Sequence, residues 1–279
     1  MNKFFRFASF GFMALAVVAT GCSDDNKEKD EPTPENPVEP GYGNVLTQGL
    51  PANIDGATFT TNDKGQVTKI TDGDEVITFE YGKFTRAIDF SVKMSCRYND
   101  GHSDDGSDIY MQLNEYGFVT YALQEYLDKE DGTATWRFEY NADGQLTRLQ
   151  RSEGGHDFKI AYTDGDITKV TQDEEDGDHR EYTFAYTNDS FKSAVANKGN
   201  IMLFDDMFQI DMDEMSAAYF AGLLGRSTKN LPMGYTEKST EGGSDYTNSE
   251  TYGWEFNTNN LPVKFWEVSY PEDVYTFAW

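Results

Sequence analysis

Three histidines, two cysteines and 49 acidic residues are the raw material for chemistry in this chain of 279 residues. His102, His156 and His179 each sit in or beside an acidic, Gly-rich stretch, and no HExxH or Cys/His spacing that would hold zinc accompanies them. A G-x-S-x-G nucleophile elbow and a phosphate-binding G-x-x-x-x-G-K-[ST] loop are both absent. Glu139, Asn141 and Asp143 before Gly144 imitate the start of a calcium loop, since hard cations take clustered oxygens, but position 12 is Gln150 and the flanks read as strands. Asp100 to Asp108 and Asp173 to Asp178 are denser acidic clusters without fixed ligand spacing, and read as solvated loops. Glycosidase chemistry needs two carboxyl groups at a defined separation, and so many loop acids give no reason to single out a pair. The residues therefore assign no catalytic group, no cofactor and no metal ligand.

The two cysteines divide by position. Lys3 and Arg6 followed by the apolar run Phe7 to Val18 read as a targeting segment, too short to span a bilayer comfortably. It ends in Ala19-Thr20-Gly21-Cys22, which resembles a bacterial lipobox without its usual Leu three residues before Cys. The resemblance implies residues 1–21 as a lipoprotein signal peptide and Cys22 as the lipidation site. Residues 22–43 are acidic and carry Pro32, Pro34, Pro37 and Pro40, which read as a disordered tether. Its acids directly after Cys22 resemble the surface-export signal of Bacteroidota lipoproteins, which implies a domain facing the cell exterior. With Cys22 committed, Cys96 has no disulfide partner, and its alternating context reads as a small buried hydrophobe. The net charge of -26 repels phosphate backbones and excludes nucleic acid as a partner.

Residues 44–279 read as a single β domain built from one phrase. The core G-x-Φ-T-x-Φ, with Φ apolar, begins at Gly65, Gly82, Gly117, Gly144 and Gly165, with Thr always fourth. An aromatic pair two residues apart recurs beside it, as in Phe79-Glu80-Tyr81, Phe138-Glu139-Tyr140, Phe184-Ala185-Tyr186 and Phe277-Ala278-Trp279; such pairs share one strand face. Asp143-Gly144 and Asp164-Gly165 offer positive-φ residues for hairpin turns. The two Φ residues are three apart, which sends them to opposite faces of a flat strand. A bulge or two covered faces would explain this, and the expectation is two partly covered faces. Lys69, Arg86, Arg148 and Lys169 recur at the fifth position and are expected to pair across strands with carboxylates such as Glu80 and Glu139, in preference to forming an anion-binding stripe. Leu261 to Phe265 is a degenerate copy with Pro in the Thr place.

One stretch breaks the β pattern. Asp213 to Leu224 predicts a helix with Asp213 as N-cap and Gly225 as its stop, with Met215, Ala218, Tyr219 and Leu223 as a packing face. The fold class expected is all-β, an antiparallel meander of a dozen or more strands rolled into a barrel-like sheet, with one short helical insertion near 213–224. Strands of mostly five to seven residues argue against membrane insertion, since spanning takes about 9 to 11.

The aromatic, turn and Φ-T-[KR]-Φ units resemble the tyrosine-aspartate repeats of Rhs-type proteins, with Asn141 or Thr163 where those have Asp. The whole chain resembles a family of uncharacterised Bacteroidota lipoproteins with a porin-like, many-stranded fold, carried by Cys22, Gly49-Leu50-Pro51, the recurring units and Leu224 to Pro232. This resemblance implies a location in the outer membrane by lipid anchor, and it transfers no site residues. The expected function is a non-catalytic surface module that binds a glycan or an envelope protein. A hydrolase with carboxylates gathered in three dimensions, and a purely structural envelope component, are the alternatives.

Overall fold

A computed structural model describes residues 49, 51–99, 106–174, 177–241 and 244–279. The signal segment, Cys22, the tether and His102 lie outside the described residues. Twelve strands run as an antiparallel meander: β1 (Asn53–Ile54), β2 (Ala57–Thr61), β3 (Val67–Asp72), β4 (Glu75–Thr85), β5 (Asp89–Tyr98), β6 (Gly106–Leu113), β7 (Val119–Tyr126), β8 (Thr133–Tyr140), β9 (Leu146–Arg151), β10 (Asp157–Thr163), β11 (Asp166–Asp173) and β12 (His179–Ala185). A small ladder of β13 (Val195–Ala196) and β14 (Asn230–Leu231) brackets an insertion. The meander then resumes through β15 (Gly234–Glu241), β16 (Ser244–Phe256), β17 (Pro262–Glu267) and β18 (Val274–Ala278). β15 pairs with β12 and β18 with β1, which closes a barrel of 16 strands.

The recurring phrase turns out to be a turn, a bulge and a hydroxyl lock. At Asn62, Asn114, Asn141 and Asn257 the side-chain Oδ1 accepts the backbone N–H groups two and four residues on. The residue three on is left-handed, at φ 76° for Gly65, 84° for Gly117, 76° for Gly144 and 56° for Asn260. The Φ-T-x-Φ spacing is resolved by a bulge at the Thr position, and two covered faces are not needed. Glu139 faces Arg148 but Tyr140 faces Leu146, so Thr147 is skipped and both Leu146 and Leu149 point inward. The same slip skips Thr68, Thr120 and Thr168. The skipped hydroxyls of Thr68, Thr147 and Thr168 donate to the facing carbonyls of Thr60, Glu139 and Ala161 at 3.2, 3.1 and 3.3 Å. In the last copy Val263 occupies the Thr place and Pro262 the first Φ.

The second aromatic of each pair finishes the lock. Tyr81, Tyr140 and Tyr186 donate their hydroxyls to the carbonyls of Val67, Val119 and Ile167, each at 2.8 Å, and Trp279 donates Nε1–H to Pro262 O at 2.7 Å. Every one of these acceptors is the first Φ residue of a unit, beside its bulge. Gly82 to Ala87 is not such a unit. Gly82 lies within β4, and the β4–β5 tip folds onto the outer wall, where Phe84 and Phe90 cover Tyr110 with ring centroids 6.3 and 5.9 Å apart.

The interior is filled. The insertion contributes α1 (Phe204–Phe208), a 3-10 turn at Asp213–Met215 and α2 (Ser216–Phe220), and its Met207, Phe208, Met215, Ala218 and Tyr219 are fully buried. Helix falls near the expected stretch but is more broken. Asp213 sits at φ +46°, no side chain caps the turn, and α2 ends before Gly222 at φ +75°. The plug is strapped to one end of the barrel: Val119 N to Leu223 O at 2.8 Å, Arg226 N to Gly144 O at 2.8 Å and Lys229 N to Gly165 O at 2.9 Å. Asp166 there accepts the backbone and side-chain N–H groups of Asn230, both at 2.7 Å. Gly225, at φ +83°, passes so close that a Cβ would lie 2.5 Å from Gly144 O. We call this the tight-turn end, and its opposite the loop end.

Candidate functional site

At the loop end two adjacent acids of the plug, the half-buried Asp213 and the buried Glu214, meet the wall. Glu214 is 1% exposed and Glu75, at the start of β4, is 3% exposed. Gln124 Nε2 donates to Glu214 Oε2 at 3.0 Å, Ser107 Oγ to Glu214 Oε1 at 3.4 Å, and Tyr98 OH to Glu75 Oε1 at 3.0 Å. Gln124 is held in turn by Trp136 Nε1 at 2.9 Å. Asp213 pairs with Arg151 at 2.9 Å; the same guanidinium meets Glu153 and Tyr126, and its Cζ lies 4.8 Å from the Trp136 ring centroid. Burial is the main force on the carboxyls: it pushes Glu75 up to about 8 and Asp213 up to about 7, and it raises Glu214. Charge–charge repulsion among the three adds to the rise for Glu75 and Asp213. Such a cluster can hold and share protons.

Of the three acids, Asp213 lines a small cavity of about 30 Å³ together with Asp205, Asp206, Asp211 and Ser216. A hollow of about 290 Å³ at the tight-turn end, between Phe191, Val195, Lys198 and Phe256, is lined by no acid.

The residues singled out by sequence scatter. His156 stacks on Phe158 with Nδ1 3.3 Å from Gln172, while His179 sits 2.7 Å from Asp173 on the outer wall. Cys96 is fully buried among Val92, Met94 and Ile109, and burial raises its thiol far above the usual range. Lys69, Arg148 and Lys169 face outward on β3, β9 and β11, each apart from the next. Arg148 pairs with Asp157 at 2.7 Å and Glu139 at 3.4 Å, and Lys169 with Glu181 at 2.7 Å. Arg86, carried on the folded tip, lies over the Tyr110 ring and reaches Glu125 at 3.0 Å. Tyr121, the exception at the fifth position, stacks on Phe90 in that same patch. In the calcium-like stretch Glu139 is spent on Arg148 and Asn141 on its own turn. Asp173 pairs with Lys159 at 2.8 Å and Glu174 with Arg180 at 2.9 Å. Among the described residues no three His, Cys, Asp or Glu side chains gather as ligands.

The outer wall is a water surface. Besides those pairs it carries Lys93–Asp108 at 2.9 Å and Lys264–Glu255 at 3.0 Å, and burying one such cation at a bilayer midplane costs about 2–4 kcal/mol. Strand length agrees with the sequence reading over most of the wall: β4, β5 and β16 have 11, 10 and 13 residues, but the other barrel strands have two to eight, short of a bilayer span. The buried acids went unnoticed in the sequence, although Asp213-Glu214 inside a Met-rich apolar run was a signal; for Glu75 there was none.

Residues 58–264 match the family described as "Domain of unknown function (DUF4595) with porin-like fold", and the chain belongs to that family. No curated protein matches. Among solved structures, a porin-like protein from Bacteroides uniformis is similar at 18% identity and a TM-score of 0.52, over 75% of this chain and 80% of that one. A porin-like protein from Bacteroides vulgatus is similar at 12% identity and a TM-score of 0.52, over 82% of this chain and 98% of that one. At such identities the likeness is one of fold. A porin-like barrel is consistent with an envelope or outer-membrane location.

Proposed function

We propose that this member of the porin-like-fold family is a lipid-anchored, non-catalytic interaction module of the bacterial outer membrane, carried on Cys22 and facing the cell exterior, with a glycan or an envelope protein as its ligand. The observation that carries this reading is the filled barrel: an apolar plug occupies the interior, while cations and carboxylates pair along the outer wall. A conducting pore needs the reverse, a polar lumen and an apolar outer band. The raised carboxyls of Glu75, Asp213 and Glu214 would favour the hydrolase, but Glu75 and Glu214 are closed in by Tyr98, Ser107 and Gln124, and the cavity beside Asp213 is only about 30 Å³.

Gly49 lies against Lys198 and Asn200 at the tight-turn end. Metabolic labelling with a clickable palmitate tests the anchor: we expect label on the full chain and none on Cys22→Ser. Surface protease digestion of whole cells is expected to remove the domain, and a glycan array of the purified full chain separates sugar from protein ligands. Absence of label on the native chain would overturn the anchor.

A further inference from the structure

β16 has two different halves. From Tyr252 to Phe256 it is paired with β17, and its ladder with β15 begins at Thr251. From Ser244 to Ser249 it is paired with β15 alone among the described residues, because β17 ends opposite Tyr252 at Glu267. The ladder is closed at that point by a side chain: Glu250 Oε1 accepts Thr251 N–H at 2.9 Å and Ser269 N–H at 3.2 Å. Beyond it lies an open edge of six residues, about 20 Å long at strand rise. Thr251 turns its carbonyl toward the β17 side, where Val268 N–H meets it at 2.8 Å. Alternation along an antiparallel strand then directs the N–H and C=O of Asp245, Thr247 and Ser249 to the same open side.

Edges like this are normally blunted by lysine, proline or a covering segment. Neither Lys nor Pro occurs in Ser244–Ser249. Tyr246, on this edge, is 56% exposed, and Val268 and Tyr270, just past the end of β17, are 52% and 55% exposed. Residues 244–250 and 267–273 hold five acids and no Lys or Arg. A second copy of the chain would set those acids against one another, and like charges across a ladder repel. A cationic strand would meet the opposite charge.

We propose that the Ser244–Ser249 edge of β16 is a strand-addition site for an extended, Lys- or Arg-bearing segment of a partner protein. This rests on the interaction-module reading and names the protein version of its ligand. Main-chain hydrogen bonds to residues 245, 247 and 249 hold the segment, and the exposed ring of Tyr246 on the same strand offers an apolar contact.

Fluorescence anisotropy of the full chain in detergent tests it with three labelled heptapeptides: alternating lysine and valine, alternating glutamate and valine, and the lysine peptide with a central proline. We expect the lysine peptide to bind at least tenfold tighter than the other two. Thr247→Pro, which removes one outward N–H at an edge that tolerates proline, is expected to weaken that binding at least tenfold with an unchanged melting temperature; Thr247→Val, which keeps the N–H, is expected to leave it intact. Equal binding by Thr247→Pro and the native chain overturns the edge but leaves an interaction module standing. A concentration-dependent dimer in sedimentation that Thr247→Pro abolishes overturns the cationic occupant in favour of a second copy. If none of the peptides binds, the edge assignment falls, and the broader reading falls with it only if the glycan array is blank as well.

Discussion

The two ends of the barrel are built on different principles. At the tight-turn end Asn side chains, positive-φ residues, bulged threonines and tyrosine hydroxyls satisfy the backbone one group at a time, and the plug is tied in by main-chain bonds. At the loop end Glu174 and Asp178 close the same backbone turn at Gly177 without an Asn side chain, and the plug is tied in by buried carboxyls, Gln124 and Arg151. The first end is locally encoded. The second is assembled from residues far apart in sequence and holds protons, and it also carries the open edge of β16. The difference teaches where to look: regular chemistry marks the framework, and the departures mark what the framework presents.

The largest effect should come from emptying what both ends hold. Phe208→Ala removes a fully buried ring that meets Phe184 at 5.3 Å, and we expect a loss of about 3–5 kcal/mol in denaturant unfolding. A cost near zero would mean the plug is not core.

Next comes pH. Glu75 and Asp213 hold their protons more tightly folded than unfolded, so their stabilising contribution is complete below the ordinary carboxyl range near pH 4 and is lost as pH rises through about 7 and 8. Melting temperature should therefore fall from pH 5.5 to 8.5. Glu75→Gln should flatten the fall and raise stability at pH 8.5 by roughly 1–3 kcal/mol, since each pKa unit is worth about 1.4 kcal/mol. The outer wall has the opposite sign: Arg148 holds Asp157 below the usual carboxylate range, so that pair weakens only as acid protonates it. A melting temperature that rises toward pH 8.5 would contradict the inner cluster.

A smaller, sharper contrast sits within the tight-turn end. Tyr140→Phe leaves the Val119 carbonyl without its donor and should cost about 1 kcal/mol. Tyr162 occupies the corresponding aromatic place, but its buried hydroxyl finds no partner, so Tyr162→Phe should be neutral or stabilising. Equal losses at both positions would break the hydroxyl-lock account. The smallest effect is expected on the outer wall, where Arg148→Met should change stability by no more than about 0.5–1 kcal/mol despite two ion pairs.

Much of the tight-turn end was legible in the sequence because its turns are local, with each Asn side chain bonding within four residues, whereas the Thr hydroxyls reach seven or eight residues back and the tyrosine hydroxyls 14 to 21. What the Thr does was not legible. The Φ-T-x-Φ spacing fits a bulge or two covered faces equally well, and only the register of the facing strand decides between them. The broken helix escaped for a related reason, since Asp213 looked like a cap until Arg151, 62 residues away, claimed its carboxylate. Glu75, Glu214 and the β16 edge depend on closure of the barrel and on where β17 stops, and no run of neighbouring residues encodes either.

The central claim is that the insertion is the core of a filled barrel and not a movable gate. Native-state hydrogen exchange of the full chain tests it most directly. We expect the amides of Met207, Ala221 and Leu223, bonded within the plug, to exchange with the same high opening energy as wall amides such as Arg151 and Met233. Plug amides that exchange orders of magnitude faster while the wall stays protected would contradict it.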